Sequence, residues 1–474
     1  MRSTRLAALA TTETIGLLLA LGILVSGYAV PPPAGVDADV QLVLSVFFAT
    51  VVLWVTEPVP FAVSSLLSVI LLYALGLVDS FGAAVSGFAE TLIFFFILLL
   101  LLGKSVSKVD LDDWVAKRLV SATSTPQSSV RRLSLTILSL AFIMPSGMAR
   151  TVTFMPVIDQ VNELYDRPAD SPFRRLAYYV IGHVNPIGSM ALMTGGGMAI
   201  ITAEMINSMV RPITWVEWAI YMTPPIVTLF LGCIAAASVY YDVEGVEREP
   251  AGTGDASASA DPLTREQWIV IATLFAGILM WIVGSFLGIP AIIPAMIMIF
   301  VFALPRIEIV TTAEFREISW GIIFLIGAML SMLDVMEELD ALSFVIEVLI
   351  AGLPMDRHLV LVLAILLAVT LAFRGLFSGV SASIVILLPM LIQFADILGL
   401  HPLFFSFALL IILGATTFVP FNQPTILMAF ERGPLSLREV IGLGAVTLLI
   451  ALAVVGVSWL VYWPLVDDLV VRVF

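Results

Sequence analysis

Long apolar runs alternate with short polar ones along most of the chain, and several of the runs are interrupted. Segments near 13–30, 39–56, 59–78, 88–106, 216–240, 267–287, 289–305, 318–335 and 439–465 are apolar over lengths close to the ~20 residues an α-helix needs to cross ~30 Å of hydrocarbon. Two more, 174–209 and 402–430, have the same character but are broken by small and polar residues, which predicts two broken helices. That gives about eleven transmembrane helices. Runs 131–163 and 358–398 are split in the middle by Pro, Arg or small residues and flanked by polar segments, so they predict re-entrant hairpins that enter and leave on one side. The expected fold is an all-α polytopic membrane protein.

The composition agrees. Of 474 residues, 60% are hydrophobic and 12% charged, more apolar surface than one soluble core buries. The formal charge of −14 must sit in the loops, above all in the acidic segment 242–266, and it argues against nucleic-acid or acidic-lipid partners. Cys233 is the single cysteine and His183, His358 and His401 are scattered, so neither a disulfide framework nor a Cys or His metal centre is expected, and no cofactor.

Basic loops set the orientation. "MRSTR", "KRLVSATSTPQSSVRR" and "YDRPADSPFRR" fall on one side only if 131–163 is a hairpin, which places the N-terminus in the cytoplasm and the C-terminus outside a cell (plasma) membrane. The first run also fits a signal peptide, but the eleven-span layout uses it as a helix. Residues 109–121 are amphipathic and suit the inner interface.

The order of elements repeats across 242–266, read as a cytoplasmic linker. Setting "SGMARTVTFMPVI" (146–158) against "GVSASIVILLPML" (379–391) pairs Ala149 with Ala382, Arg150 with Ser383, Val152 with Val385 and Pro156 with Pro389. Each hairpin is followed by an interrupted helix. The chain then divides into an N-terminal helix (1–37), a first repeat (38–241), the linker and a second repeat (267–474), with the repeats entering the membrane in opposite senses. Inverted repeats with broken helices are the architecture of secondary transporters, whose site lies where the breaks meet. Non-helical backbone at that depth must be satisfied by protein or by a water-filled cavity.

The segments "LWVTEPVPFAVSSLLSVILLYALGLVD" (53–79) and "SWGIIFLIGAMLSML" (319–333), with both hairpins and their following helices in order, resemble the divalent anion:sodium symporter family nearly end to end. That resemblance implies an elevator-type carrier of dicarboxylates, citrate or sulfate, usually homodimeric, with Na+ held at each hairpin tip by a Ser-Asn-Thr triplet. Here those positions are Ser146-Gly147-Met148 and Gly379-Val380-Ser381, so both asparagines are missing. The family's Thr-Pro-Pro-Asn-like breaks fall on Thr194, Gly195, Gly196, Gly197 and Met198, and on Asn422, Gln423, Pro424 and Thr425. Candidate cation ligands are therefore Ser146, Gly147, Met148, Gly195, Gly196, Gly379, Val380, Ser381 and Asn422.

An arginine near mid-bilayer costs ~2.5–3.5 kcal/mol on insertion scales and wants a partner. For Arg150 that partner is either an anionic substrate, met by a planar five-donor fork beside a half-helix N-terminus, or a protein acid such as Asp159 or Glu204. Ser146, Thr151, Ser381, Ser383, Asn422 and Thr425 join Arg150 as candidate substrate contacts, their other role being to cap the half-helices. Arg374 lies on the approach to the second tip, and His183 and Asn185 precede the first break. If a fixed arginine supplies the charge that sodium supplies elsewhere, coupling shifts toward exchange or protons. No constellation expected of an intramembrane enzyme is present; a passive anion channel and a Na+/H+ antiporter remain as alternatives.

Overall fold

The computed structural model describes residues 2–111, 114–115, 125–142, 144, 146–243, 262–352 and 358–470. It is helical, with no strand among the described residues. Most of segment 109–121 and residues 244–261 of the acidic segment lie outside them, as do Ile143 and Pro145 of the first hairpin.

Among the described residues eight helices are long and apolar enough to cross a membrane: Thr12–Ala29, Ala38–Thr56, Thr91–Lys108, Trp215–Tyr241, Arg265–Leu287, Trp320–Glu338, Val380–Ile397 and Leu437–Asp468. The expected spans 59–78 and 289–305 are shorter helices, Phe61–Ala74 and Ile292–Ala303. The chain forms two compact units, and each draws on both halves of the sequence.

The first unit comprises Met1–Phe94, Ser319–Ala372 and Val385–Gly399. In it α1 (Arg2–Ala29) packs on α2 (Ala38–Thr56), with Gly16 against Thr56 and Gly27 against Ser45, so small residues let the two backbones approach. The helix α3 is Phe61–Ala74, and Trp54 of α2 donates its indole N–H to Ser65 at 3.3 Å.

The second unit comprises Phe95–Ile318, Phe373–Ile384 and Leu400–Phe474. The helix α4 (Thr91–Lys108) is followed by the first hairpin, α5 (Pro126–Ala141) and α6 (Gly147–Leu164). The first broken helix begins as α7 (Pro172–Tyr179), widens into a π-turn at Val180–Val184, ends at Gly188 and resumes as α8 (Gly197–Met209). Then come α9 (Trp215–Tyr241), α10 (Arg265–Leu287) and α11 (Ile292–Ala303). In the first unit again are α12 (Trp320–Glu338) and α13 (Ala341–Gly352). The second hairpin is α14 (Leu359–Arg374) and α15 (Val380–Ile397), of which only the tip belongs to the second unit. The second broken helix is α16 (Pro402–Ala415) and α17 (Pro424–Arg432), and α18 (Leu437–Val457) follows.

Sequence chemistry fixes where these helices start. Thr125 with Ser128, Thr214 with Glu217, Thr264 with Gln267 and Ser436 with Glu439 form reciprocal capping boxes at the N-termini of α5, α9, α10 and α18. Pro156 and Pro389 lie inside α6 and α15, where each removes one backbone donor.

Candidate functional site

Both hairpin tips and both helix breaks belong to the second unit. At the first tip, α5 ends at Ala141 and the Ser146 hydroxyl caps α6 by accepting from Ala149 N–H at 3.2 Å. Arg150 follows in the first turn and is wholly buried. Its Nε donates to Asn185 Oδ1 at 2.6 Å, and its Nη2 to Ser189 Oγ at 2.6 Å and Asn185 O at 3.4 Å. Its Nη1 donates to the Met144 carbonyl. The Asn185 amide donates in turn to Gly147 O at 2.7 Å and Thr151 Oγ1 at 3.0 Å. Arg150 and Asn185 thus clasp the hairpin tip to the first broken helix.

Of the two protein acids expected as partners of Arg150, Asp159 is engaged elsewhere: it pairs with Arg174 at 2.6 Å. Thr151 is also fully buried, with its hydroxyl 2.8 Å from Ile181 O and 3.0 Å from Gly147 O.

The second tip has its own clasp. Arg374, wholly buried, donates to Phe377 O at 3.1 Å, Leu413 O at 3.3 Å and Asn422 O at 2.9 Å. The Asn422 amide donates to Gly375 O at 2.9 Å and Phe377 O at 3.0 Å, while its oxygen accepts from Phe418 and Val419 N–H at 3.2 and 3.1 Å. Asn422 is therefore occupied in holding the tip to the second break, and Ser383, fully buried, donates to Val380 O at 2.7 Å. Among the described residues neither Arg150 nor Arg374 is paired with a carboxylate; every acceptor is a neutral oxygen.

The first broken helix is interrupted over 189–196, which takes in Thr194, Gly195 and Gly196 of the expected break, while Gly197 and Met198 begin α8. A Cβ at Gly195 would collide with the Ser189 carbonyl, and one at Gly197 would press on Phe96 and the Ser381 hydroxyl, at 3.2–3.3 Å. Ser381 of the second tip is thereby placed beside the first break. The unwound carbonyls of Met190 and Ala191 accept from Trp218 and Thr223 of α9 at 3.2 and 2.9 Å, which satisfies backbone a helix would otherwise satisfy. The two broken helices are also joined directly: Thr425 of α17 donates to Gly182 O in the π-turn at 2.7 Å, and Gly182 lies tight against Ile426 and Ala429.

The sequence-predicted residues therefore separate into two groups. Ser146, Gly147, Met148, Gly379 and Ser381 are part-exposed at the tips, whereas Arg150, Thr151, Ser383, Asn422 and Thr425 are buried and bonded within the protein. Ser189 was not foreseen, and Asn185 proves central. The signal for Asn185 was its place before Pro186, since Asn at a helix interruption is a backbone-binding residue. Among the described residues no group of three His, Cys, Asp or Glu side chains could hold a metal ion.

Residues 11–469 match the family described as the sodium:sulfate symporter transmembrane region. The chain is 20% identical over 473 residues to the sodium-dependent dicarboxylate transporter SdcS of Staphylococcus saprophyticus, covering 94% of this chain and 90% of that one. It is 25% identical over 297 residues to the citrate/succinate antiporter of Escherichia coli K12, covering 56% and 60%. It is 26% identical over 300 residues to the chloroplastic dicarboxylate transporter 2.1 of Arabidopsis thaliana, covering 60% and 52%. With a match running almost from end to end and an all-helical fold of membrane-spanning length, the chain belongs to the divalent anion:sodium symporter family of membrane transporters.

Proposed function

We propose that this protein is a secondary active carrier of a small multivalent anion of the C4-dicarboxylate, citrate or sulfate class, integral to the cell membrane. The observation that carries the reading is the pair of buried guanidiniums, Arg150 and Arg374, set behind the two hairpin tips with neutral oxygens as their only partners among the described residues. Two fixed positive charges held away from water favour a doubly charged anion. At an effective dielectric near 20, each unit charge ~8 Å from an anionic group contributes ~2 kcal/mol. The part-exposed hydroxyls of Ser146 and Ser381, with the N-terminal N–H groups of α6 and α15, supply the hydrogen bonds.

In this reading the arginines act on the substrate through their charge and by positioning the tips, while Ser146 and Ser381 touch it. Of the tip and break backbone, Met148 and Gly195 offer carbonyl oxygens to Na+, whereas those of Gly147, Gly196, Gly379 and Val380 already accept bonds within the protein; the sodium-dependent relative supports symport. Elevator movement of the site, in a homodimer, is the part of this reading that rests on family membership alone.

A second reading, exchange of one anion for another without a cation, is favoured by the same two uncompensated arginines and by tips that lack the family's asparagine. The citrate/succinate antiporter among the relatives supports it. Uptake of labelled succinate into proteoliposomes separates the two. Accumulation driven by an inward Na+ gradient supports symport, and accumulation only with unlabelled dicarboxylate preloaded supports exchange. Citrate and sulfate tested in the same way identify the substrate class, and silence with all three overturns the proposal.

A further inference from the structure

In the second unit α5 and α9 border a cavity of ≈ 430 Å³, within the range of small-ligand sites. Gln127, Val130, Arg131, Ser134 and Leu135 recur at helical spacing along one face of α5, and Leu231, Ile234, Ala235 and Ser238 along one face of α9. Leu176 of α7 also lines it. The helices run past each other in opposite directions, because Gln127 near the start of α5 donates to Val243 O just beyond the end of α9, at 2.7 Å.

Both walls change polarity in the same sense. Gln127 and Arg131 on one side face Ser238 and Asp242 on the other, while the far end is apolar, with Leu135 and Leu231 about half exposed, at 52% and 48%. The polar end lies at the level of Tyr240 and Tyr241, the last residues of a membrane-length helix, where aromatic side chains mark the bilayer interface. Arg131 and Asp242 are both exposed and form no ion pair among the described residues. Between the two ends, Ser134 lines the cavity with its hydroxyl buried and no partner in the described residues.

We propose that this groove seats one zwitterionic phospholipid with a primary ammonium headgroup, its phosphate on Arg131, its ammonium on Asp242 and an acyl chain along Leu135 and Leu231. The Ser134 hydroxyl then donates to a glycerol ester carbonyl. A guanidinium and a carboxylate at one end of an otherwise apolar groove match the two charges of such a headgroup, and a lone phosphate would leave Asp242 opposed. Because α5 is the first arm of a hairpin that carries Arg150, an occupant here braces the outer face of that arm.

The test is saturable thermal stabilisation of the detergent-purified protein, with lipid retention read by native mass spectrometry. The probes are dioleoyl-phosphatidylethanolamine, dioleoyl-phosphatidylcholine and free phosphoethanolamine. Phosphatidylethanolamine is expected to stabilise the wild type saturably, and Arg131→Ala and Asp242→Asn, both at exposed positions, to weaken it about tenfold or more through loss of a charge-assisted bond. Phosphatidylcholine, whose methylated amine cannot donate, is expected to bind the wild type about as weakly as phosphatidylethanolamine binds Asp242→Asn. Ala235→Trp is expected to abolish the saturable response by filling the groove. Equal response to both lipids, a full response to phosphoethanolamine alone, or an unchanged response in Arg131→Ala would each overturn the assignment.

Discussion

In the first hairpin the arginine follows the tip, at Arg150 on α6; in the second it precedes the tip, at Arg374, the last residue of α14. The helices after the two tips are otherwise alike. A single shift of register carries Gly147, Pro156 and Leu164 of α6 onto Val380, Pro389 and Ile397 of α15. What differs is what the guanidinium holds. Arg150 grips two side chains, Asn185 and Ser189, at 2.6 Å, whereas Arg374 grips only backbone carbonyls, at 2.9–3.3 Å. Each clasp is completed by an asparagine from the broken helix that follows, Asn185 or Asn422. The same task, tying a tip to unwound backbone, is thus met by two arrangements, and charge is common to both.

The largest effect expected is from Arg150→Ala. It leaves Asn185, Ser189 and the Met144 carbonyl with a lost donor each, at ~1–3 kcal/mol per buried unsatisfied group, and removes one of the two charges. Succinate uptake by proteoliposomes should fall to near background, with Arg150→Lys intermediate because one ammonium cannot reproduce the fork. Arg374→Ala should cost less. A well-folded Arg150→Ala protein with full uptake would remove that charge from the function.

Asn185→Asp sets a carboxylate against Arg150 where a neutral oxygen now lies at 2.6 Å, and it also removes the amide donor to Gly147 O and Thr151 Oγ1. The protein should still fold, and the KM for a dianion should rise about tenfold or more as one site charge is cancelled. An unchanged KM would mean that Arg150 serves the tip alone.

Next come the glycines, compared across the halves. Gly195→Ala drives a Cβ into the Ser189 carbonyl and should destabilise by ~1–3 kcal/mol, lowering the melting temperature. A Cβ at Gly379 meets nothing within 4 Å, so Gly379→Ala should melt like the wild type. Equal melting of the two variants would contradict the difference in packing.

The smallest effect is at Glu314, on the short helix Thr312–Arg316, whose carboxylate is 2.7 Å from Lys108. Burial pushes that carboxyl up, but hydrogen bonds from Lys108 and Thr311 outweigh it and hold it down at about 2, against 4.5 ordinarily. Its contribution is fully present above the ordinary value and is lost as pH falls from there toward 2. Glu314→Gln should remove at most ~1 kcal/mol, visible at neutral pH and vanishing near pH 2 in a melting series.

Much of this was legible in the sequence because it follows from side-chain identity. The all-helical, membrane-length character comes from the apolar run lengths, and Gly195 and Gly196 mark the interruption of the first broken helix. The direction of Arg150 was not legible, since its partners include the Met144 and Asn185 carbonyls, which every residue possesses and no motif announces. Asn422 was expected as a ligand, but the backbone that it satisfies becomes adjacent only after the chain folds.

The bond from Thr425 to the Gly182 carbonyl joins positions 243 residues apart. During synthesis the first broken helix is therefore made long before the hydroxyl that completes it exists. Ile426 and Ala429, which pack tightly on Gly182, are likewise made only after that interval. Assembly of the site is accordingly among the last events in the life of the nascent chain, and a truncation after the first half leaves a helix break with nothing to close it.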